Sequence, residues 1–187
     1  MKSNEFLRVR GHLRVIHIPV QFLAGDAPLA PAMIDLLAAN GHVQIRRYSN
    51  VIVDQGLSAV SRMLGHGLGF PSVGPYGVSS IADLRVTTMK IGTTLSPPTP
   101  ATIDTDISEN PASYTINSVT AFYTSATSVT FAGVIPQAAT ALNGFAITEE
   151  GLFLANGAML AHVTFPPEVK ISSHAIQLEH EVEVSRP

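Results

Sequence analysis

The residues of this chain whose types could do chemistry are seven histidines, one adjacent pair of carboxylates, a glycine-rich loop and a set of N-terminal arginines. His12 and His17 are five apart in a strand-like segment, so they fall on opposite faces. His162 and His180 could meet as cross-strand neighbours, but neither has an Asp or Glu at ligand spacing beside it. Surface or half-buried imidazoles are therefore expected, and no metal. Glu149-Glu150 invites comparison with glycosidases, whose two carboxyls stand about 5–10 Å apart. Adjacent residues in a strand point to opposite faces and spoil that geometry, so one of the pair is expected to cap a turn or meet an arginine. Gly65-His66-Gly67-Leu68-Gly69 follows a helix-like segment and no Lys-Ser/Thr comes after it, which removes the phosphate-loop reading. No G-x-S-x-G elbow exposes a serine. With no Cys, thiolate catalysis, disulfides and iron–sulfur clusters are excluded. No catalytic, cofactor-binding or metal-binding residue is assigned, and the chain is expected not to be an enzyme.

The arginines point elsewhere. Residues 1–62 hold 7 basic and 4 acidic side chains (net +3), and residues 63–187 hold 4 basic and 10 acidic (net −6), which together return the formal −3. A basic N-terminal part joined to an acidic body suits contact between copies. The candidate contact residues are Arg8, Arg10, Arg14, Arg46 and Arg47 on one side, and Glu179, Glu181 and Glu183 on the other. Nucleic acid is disfavoured, because the net charge is negative and no recognition motif accompanies the arginines. A charged fraction of 13% is about half the usual quarter, so part of the surface is expected to be covered by partners. No run of 18 apolar residues and no signal-like N-terminus are present, so no membrane role is expected.

These residues must be positioned by short strands. Phe6–Phe22 reads as one or two strands broken at Gly11, Pro31–Ala39 as two helical turns, and His42–Ser49 as a strand. Asp54–Leu64 has an N-cap and helical spacing, and is expected to be the one real helix, followed by a long loop over 65–80. From Asp83 onward the pattern is β. A strand covers Leu84–Gly92, a hairpin joins Asn117–Thr124 to Ser128–Pro136, and another joins Gly144–Phe153 to Ala158–Phe165 through a type I′ turn at Asn156-Gly157. In Ile176–Val184, Ile176, Leu178, His180, Val182 and Val184 should be buried, with Glu179, Glu181 and Glu183 facing solvent or a basic partner. The expected architecture is mainly β: an antiparallel β-sandwich over 50–187 with one short helix packed on it, plus an extended N-terminal arm over 1–49.

Three segments in order carry a resemblance: VIVDQGLSAVSRML (51–64), MKIGTTLSPPTPATIDTD (89–106) and NGFAITEEGLFLANGAMLAHVTFPP (143–167). Together they resemble small virion structural proteins of tailed phages, and in particular the collar domain that attaches tail fibres. The resemblance covers about residues 50–184, leaves 1–49 outside, and has no fibre shaft after the last strand. It implies a structural role in the virion, on the tail or capsid surface, after synthesis in the host cytoplasm. A tail-side adaptor or fibre-attachment protein is expected, with other copies of itself and other virion proteins as partners. The alternatives are a capsid decoration protein and a carbohydrate-binding β-sandwich. The last ranks low, since no Trp and only 4 Tyr are available to stack on a glycan.

Overall fold

The structure, a computed structural model, describes residues 8–23, 25–54, 56–57, 80–108 and 112–185. Two antiparallel five-stranded sheets pack face to face, as expected. The first contains β1 (Arg8–Pro19), β2 (Gln44–Ser49), β6 (Thr120–Tyr123), β7 (Ser128–Ile135) and β10 (His174–Ser185), in the order β2-β1-β10-β7-β6. The second contains β3 (Val51–Ile52), β4 (Val86–Gly92), β5 (Ser113–Ile116), β8 (Ala146–Leu154) and β9 (Met159–Val169), in the order β3-β9-β8-β4-β5. Period-two alternation explains the core between them. Leu13, Val15, Ile135, Ile176 and Leu178 of the first sheet meet Met89, Ile91, Leu152, Ala161 and Val163 of the second, all essentially inaccessible to solvent. Each buried Leu or Ile there contributes about 1.5–3 kcal/mol relative to exposure.

The expected division at residue 49 is not how the sheet is built. β1 lies inside the first sheet, paired with β10 over its whole length on one side and with β2 on the other. It supplies Leu13 and Val15 to the common core. Nor does Gly11 break the strand. It sits where a Cβ would overlap the Asn50 side chain, so glycine is what lets the β2–β3 crossover pass close to β1. Asp54, Gly56 and Leu57 are helical, and the remainder of the expected 54–64 helix and the loop up to residue 79 lie outside the described residues. The helix described in full is α1 (Pro31–Ala39), opened by proline at its first position and followed by Asn40 and Gly41.

The β8–β9 connection also differs from expectation. Gly157 N–H donates to Leu154 O, Leu154 N–H donates to Ala158 O, and Gly157 has φ of 84°. That is a three-residue loop closed by a left-handed glycine instead of a two-residue I′ turn.

Both outer faces of the sandwich are covered. On the first sheet, α1 and the preceding loop bury Ile16, Ile18, Ile34 and Val43 in a second small core. On the second, residues 93–108 lie over Val53, Phe153 and Met159, with Ile107 inserted among them. These covers change the reading of β10. Glu179, expected to face solvent or a basic partner, is fully buried with Gln177 beneath the first cover and meets Arg14 there, while Glu181 and Glu183 beyond its reach are half-buried. Ile176, Leu178 and Val182 are in the core as the alternation requires, whereas Val184, expected there too, is half-buried where it lines a cleft at the end of the strand.

Candidate functional site

The adjacent carboxylates of β8 do point to opposite faces, and each finds a histidine, not an arginine. Glu149 faces outward. Its Oε2 lies 3.2 Å from His162 Nε2, and its Oε1 accepts the Ser108 amide at 3.1 Å. The other ring nitrogen, His162 Nδ1, lies 2.7 Å from Asp104 Oδ2, which also accepts the Ala101 amide at 2.8 Å. Burial alone would lower the His162 pKa. The hydrogen bonds and charges of Glu149 and Asp104 outweigh it and raise the pKa above the ordinary 6.5. Asp104 is lowered below 3.8, since the Ala101 amide and His162 outweigh its own desolvation. A doubly protonated ring between two carboxylates satisfies every donor and acceptor in the line.

Glu150 faces inward and crosses the gap between the sheets. His180 Nδ1–H of β10 donates to its Oε2 at 2.8 Å, and His180 Nε2 accepts from the Asn50 amide. His162 is not the surface or half-buried group expected, whereas His180 is buried as the β10 alternation requires; the two are not neighbours, because β9 and β10 belong to different sheets. The signal that sequence reading lacked is tertiary. The acids stand next to each other in β8, while their bases come from two other strands.

A third buried carboxylate, Glu168 of β9, gathers donors from the first sheet. Arg46 Nη1 and Tyr48 Oη donate to its Oε1 at 2.7 and 2.8 Å, and His17 Nε2 lies 3.1 Å from Oε2. Tyr48 stacks on Phe165 with ring centres 5.2 Å apart. Burial, then the Glu168 carboxylate, push the Tyr48 hydroxyl above its usual pKa of 10. This cluster closes the β2/β9 side of the sandwich.

The candidate contact residues form a cross-strand ladder. Register sets Arg8 opposite Ser185, Arg10 opposite Glu183, His12 opposite Glu181 and Arg14 opposite Glu179. Arg14 Nε stands 3.2 Å from Glu179, and its Nη2 donates to Asp35 of α1 at 2.6 Å. Arg47, opposite Arg14 on the β2 side, is exposed, as is Arg10. The basic first strand and the acidic last strand are thus neighbours within one protomer, joined by the Arg14–Glu179 pair. Arg14 and Arg46 are spent on internal ion pairs, and Glu179 is sealed from any partner.

None of these clusters offers a nucleophile or an ion site. No hydroxyl or thiol is bonded to His162 among the described residues, and its two carboxylates take opposite ring nitrogens, so they cannot close on one ion. Among the described residues no group of three or more potential ligands could hold a metal, and no helix is long and apolar enough to cross a membrane. One cleft is of different character. About 580 Å³ opens between the sheets where Ala121 and Tyr123 of β6, Val129 and Phe131 of β7, and Val182 and Val184 of β10 face Leu84, Val86, Leu154 and Leu160. Arg85 is its one charged lining residue among those described.

Comparison of the chain with family models, with curated proteins and with solved structures finds no match.

Proposed function

We propose that the chain is a non-enzymatic structural component of a tailed-phage virion, a tail-side adaptor that seats fibres through protein–protein contacts. The observation that carries this reading is the fate of the ionisable groups. Glu149, Glu150, Glu168 and Glu179 are each spent on ties between strands, sheets or covers, and the sizeable cleft is lined by apolar side chains. Such an interior ties strands and covers into one shape, which suits a role in contact. The segment 143–167, which resembles the collar proteins most, supports the same role. It is the central β8–β9 hairpin of the second sheet, with Phe165 anchored against Tyr48 and Pro166-Pro167 limiting pairing at the strand's free edge.

The experiment is to label purified particles with an antibody against the folded chain and view them by electron microscopy. Label at the tail, where fibres attach, is the expected result. Label on the head would overturn the tail-side placement, and absence of the chain from washed particles would overturn the virion role altogether.

A further inference from the structure

The two lateral edges of the sandwich are built unlike each other. On the β2/β3 side, β2 carries Arg46 and Arg47, the Glu168 cluster ties the sheets together, and Pro166-Pro167 lie where the register of β9 shifts. These are the devices that keep an edge strand from pairing with another chain. On the β5/β6 side they are missing. Residues 110–148, which include β5, β6 and β7, contain no Asp, Glu, Lys, Arg or His. β6 is the terminal strand of its sheet, paired with β7 alone among the described strands. Its Thr120 and Ala121 are exposed, and Tyr123 is 86% exposed although it belongs to the face that looks toward the second sheet. The cause is the cleft, which opens directly beneath Ala121 and Tyr123.

We propose that β6 is the docking edge for a second copy of this chain, the two β6 strands pairing antiparallel about a two-fold axis. A symmetric pair sets the residues nearest its axis beside their own counterparts, so a charge there would face itself; like charges directly opposite are destabilising. β6 and the strands beside it carry none. The same neutrality leaves nothing for a charged partner to recognise. With Phe122 at the axis, Tyr123 of each copy falls opposite Ala121 of the other and on the cleft side of the sheet. That register keeps like faces together and sets Tyr123 of each copy beside the apolar cleft lining of the other. The exposed edge amides and carbonyls of β6 gain partners in the same step.

This inference does not depend on the virion reading. A chain that dimerises through β6 yet is missing from particles would uphold the one and sink the other.

Sedimentation equilibrium of the purified chain tests it. The wild type should approach twice 19.8 kDa at tens of micromolar. Ala121→Lys, at an exposed position, should weaken association by at least about ten-fold, because it sets like charges diagonally across the axis; Thr120→Lys, also exposed but four residues along the strand from its own counterpart, should weaken it less. Ser49→Lys, at an exposed position of the opposite edge, should leave the dimer unchanged. Thermal unfolding of each variant checks that the protomer is intact, and hydrogen exchange should show the β6 amides protected in the wild type and unprotected in the lysine variants. A wild type that stays monomeric over this range would overturn the proposal. So would a dimer indifferent to both lysines, or one broken by Ser49→Lys instead.

Discussion

On the first sheet the outer cover is a helix with its leading loop; on the second it is a loop without regular structure. Both are fastened by polar side chains that rise from the sheet beneath. Gln177 of β10 holds the first by a neutral clamp, its amide accepting from Leu29 N and donating to Leu29 O, each at 2.8 Å. Arg14 adds a link to Asp35 of α1. The second cover hangs on charge. His162 grips Asp104, Glu149 takes the Ser108 amide, and Lys90 meets Asp106 at 2.9 Å, with Thr148 bonded to Thr94 O as a neutral addition. A cover rich in apolar side chains can be pinned by an amide. One with little apolar area of its own leans on ion pairs, and so should answer to pH.

The signs can be worked out. His162 has its folded pKa above 6.5, so its contribution is complete below 6.5 and is lost as pH rises through the folded value. Asp104 has its folded pKa below 3.8, so its contribution is present above 3.8 and fails as pH falls through the folded value. The second cover should therefore loosen at both extremes. Under the first cover, burial raises Glu179 above 4.5 against the opposing charge of Arg14. Its burial disfavours the fold above the raised value, and that penalty is relieved on acidification toward 4.5.

The largest effect is expected from His162→Leu. The substitution leaves Glu149 fully buried with the Ser108 amide as its remaining partner, and breaking a buried pair costs about 3–5 kcal/mol. Urea unfolding on both sides of neutrality should show the loss, and the alkaline decline of stability should vanish with the imidazole. A variant that kept that decline would assign it elsewhere. Ile34→Ala comes next, at the lower end of about 2–5 kcal/mol, because the small core under α1 can partly collapse around the gap. Its cost should be the same on both sides of neutrality, which is the contrast between the covers in one measurement. Gln177→Ala should cost about 1–3 kcal/mol for the backbone groups of Leu29 left without their partner. Faster hydrogen exchange confined to 23–39, with 93–108 unchanged, would show that the two covers open independently.

How much of this was legible in the sequence follows from the range of each interaction. The β10 alternation identified Ile176, Leu178 and Val182 as core, because one strand's periodicity needs no knowledge of its neighbours. The same alternation put Glu179 in solvent or against a basic partner and missed its burial, because it cannot show that α1 and residues 25–30 fold back over that face. Arg8, Arg10 and Arg14 read as an arm awaiting a partner. The strand that carries them pairs with β10, more than 150 residues away in sequence, where Arg14 meets Glu179, and the register that joins them is a property of the whole sheet. Likewise Glu149 and Glu150 were visible as a pair facing opposite ways, but His162 and His180 reach them only through strand order. The uncharged stretch 110–148 was readable from the first, and it acquires meaning once β6 is seen to be an edge.

The smallest effect expected is also the most specific. Asp104→Asn keeps a side chain of the same shape, with a carbonyl that can still accept from His162 Nδ1–H, but removes one of the two charges that hold the ring protonated. Asp104 is partly exposed, at 22% of its side chain, so solvent screens the pair and the loss of stability should be about 1 kcal/mol or less. The informative readout is the His162 ring titration followed by NMR. Glu149, fully buried on the opposite nitrogen, should keep the pKa from collapsing, while the loss of Asp104 shifts the midpoint downward from its wild-type value. Glu149→Gln should lower it as well and cost more stability, because its carboxylate is the fully buried member of the line. If Asp104→Asn left the midpoint where it was, the ring would be held by Glu149 alone. The second cover would then rest on the Ser108, Thr94 and Lys90 contacts instead of on the histidine.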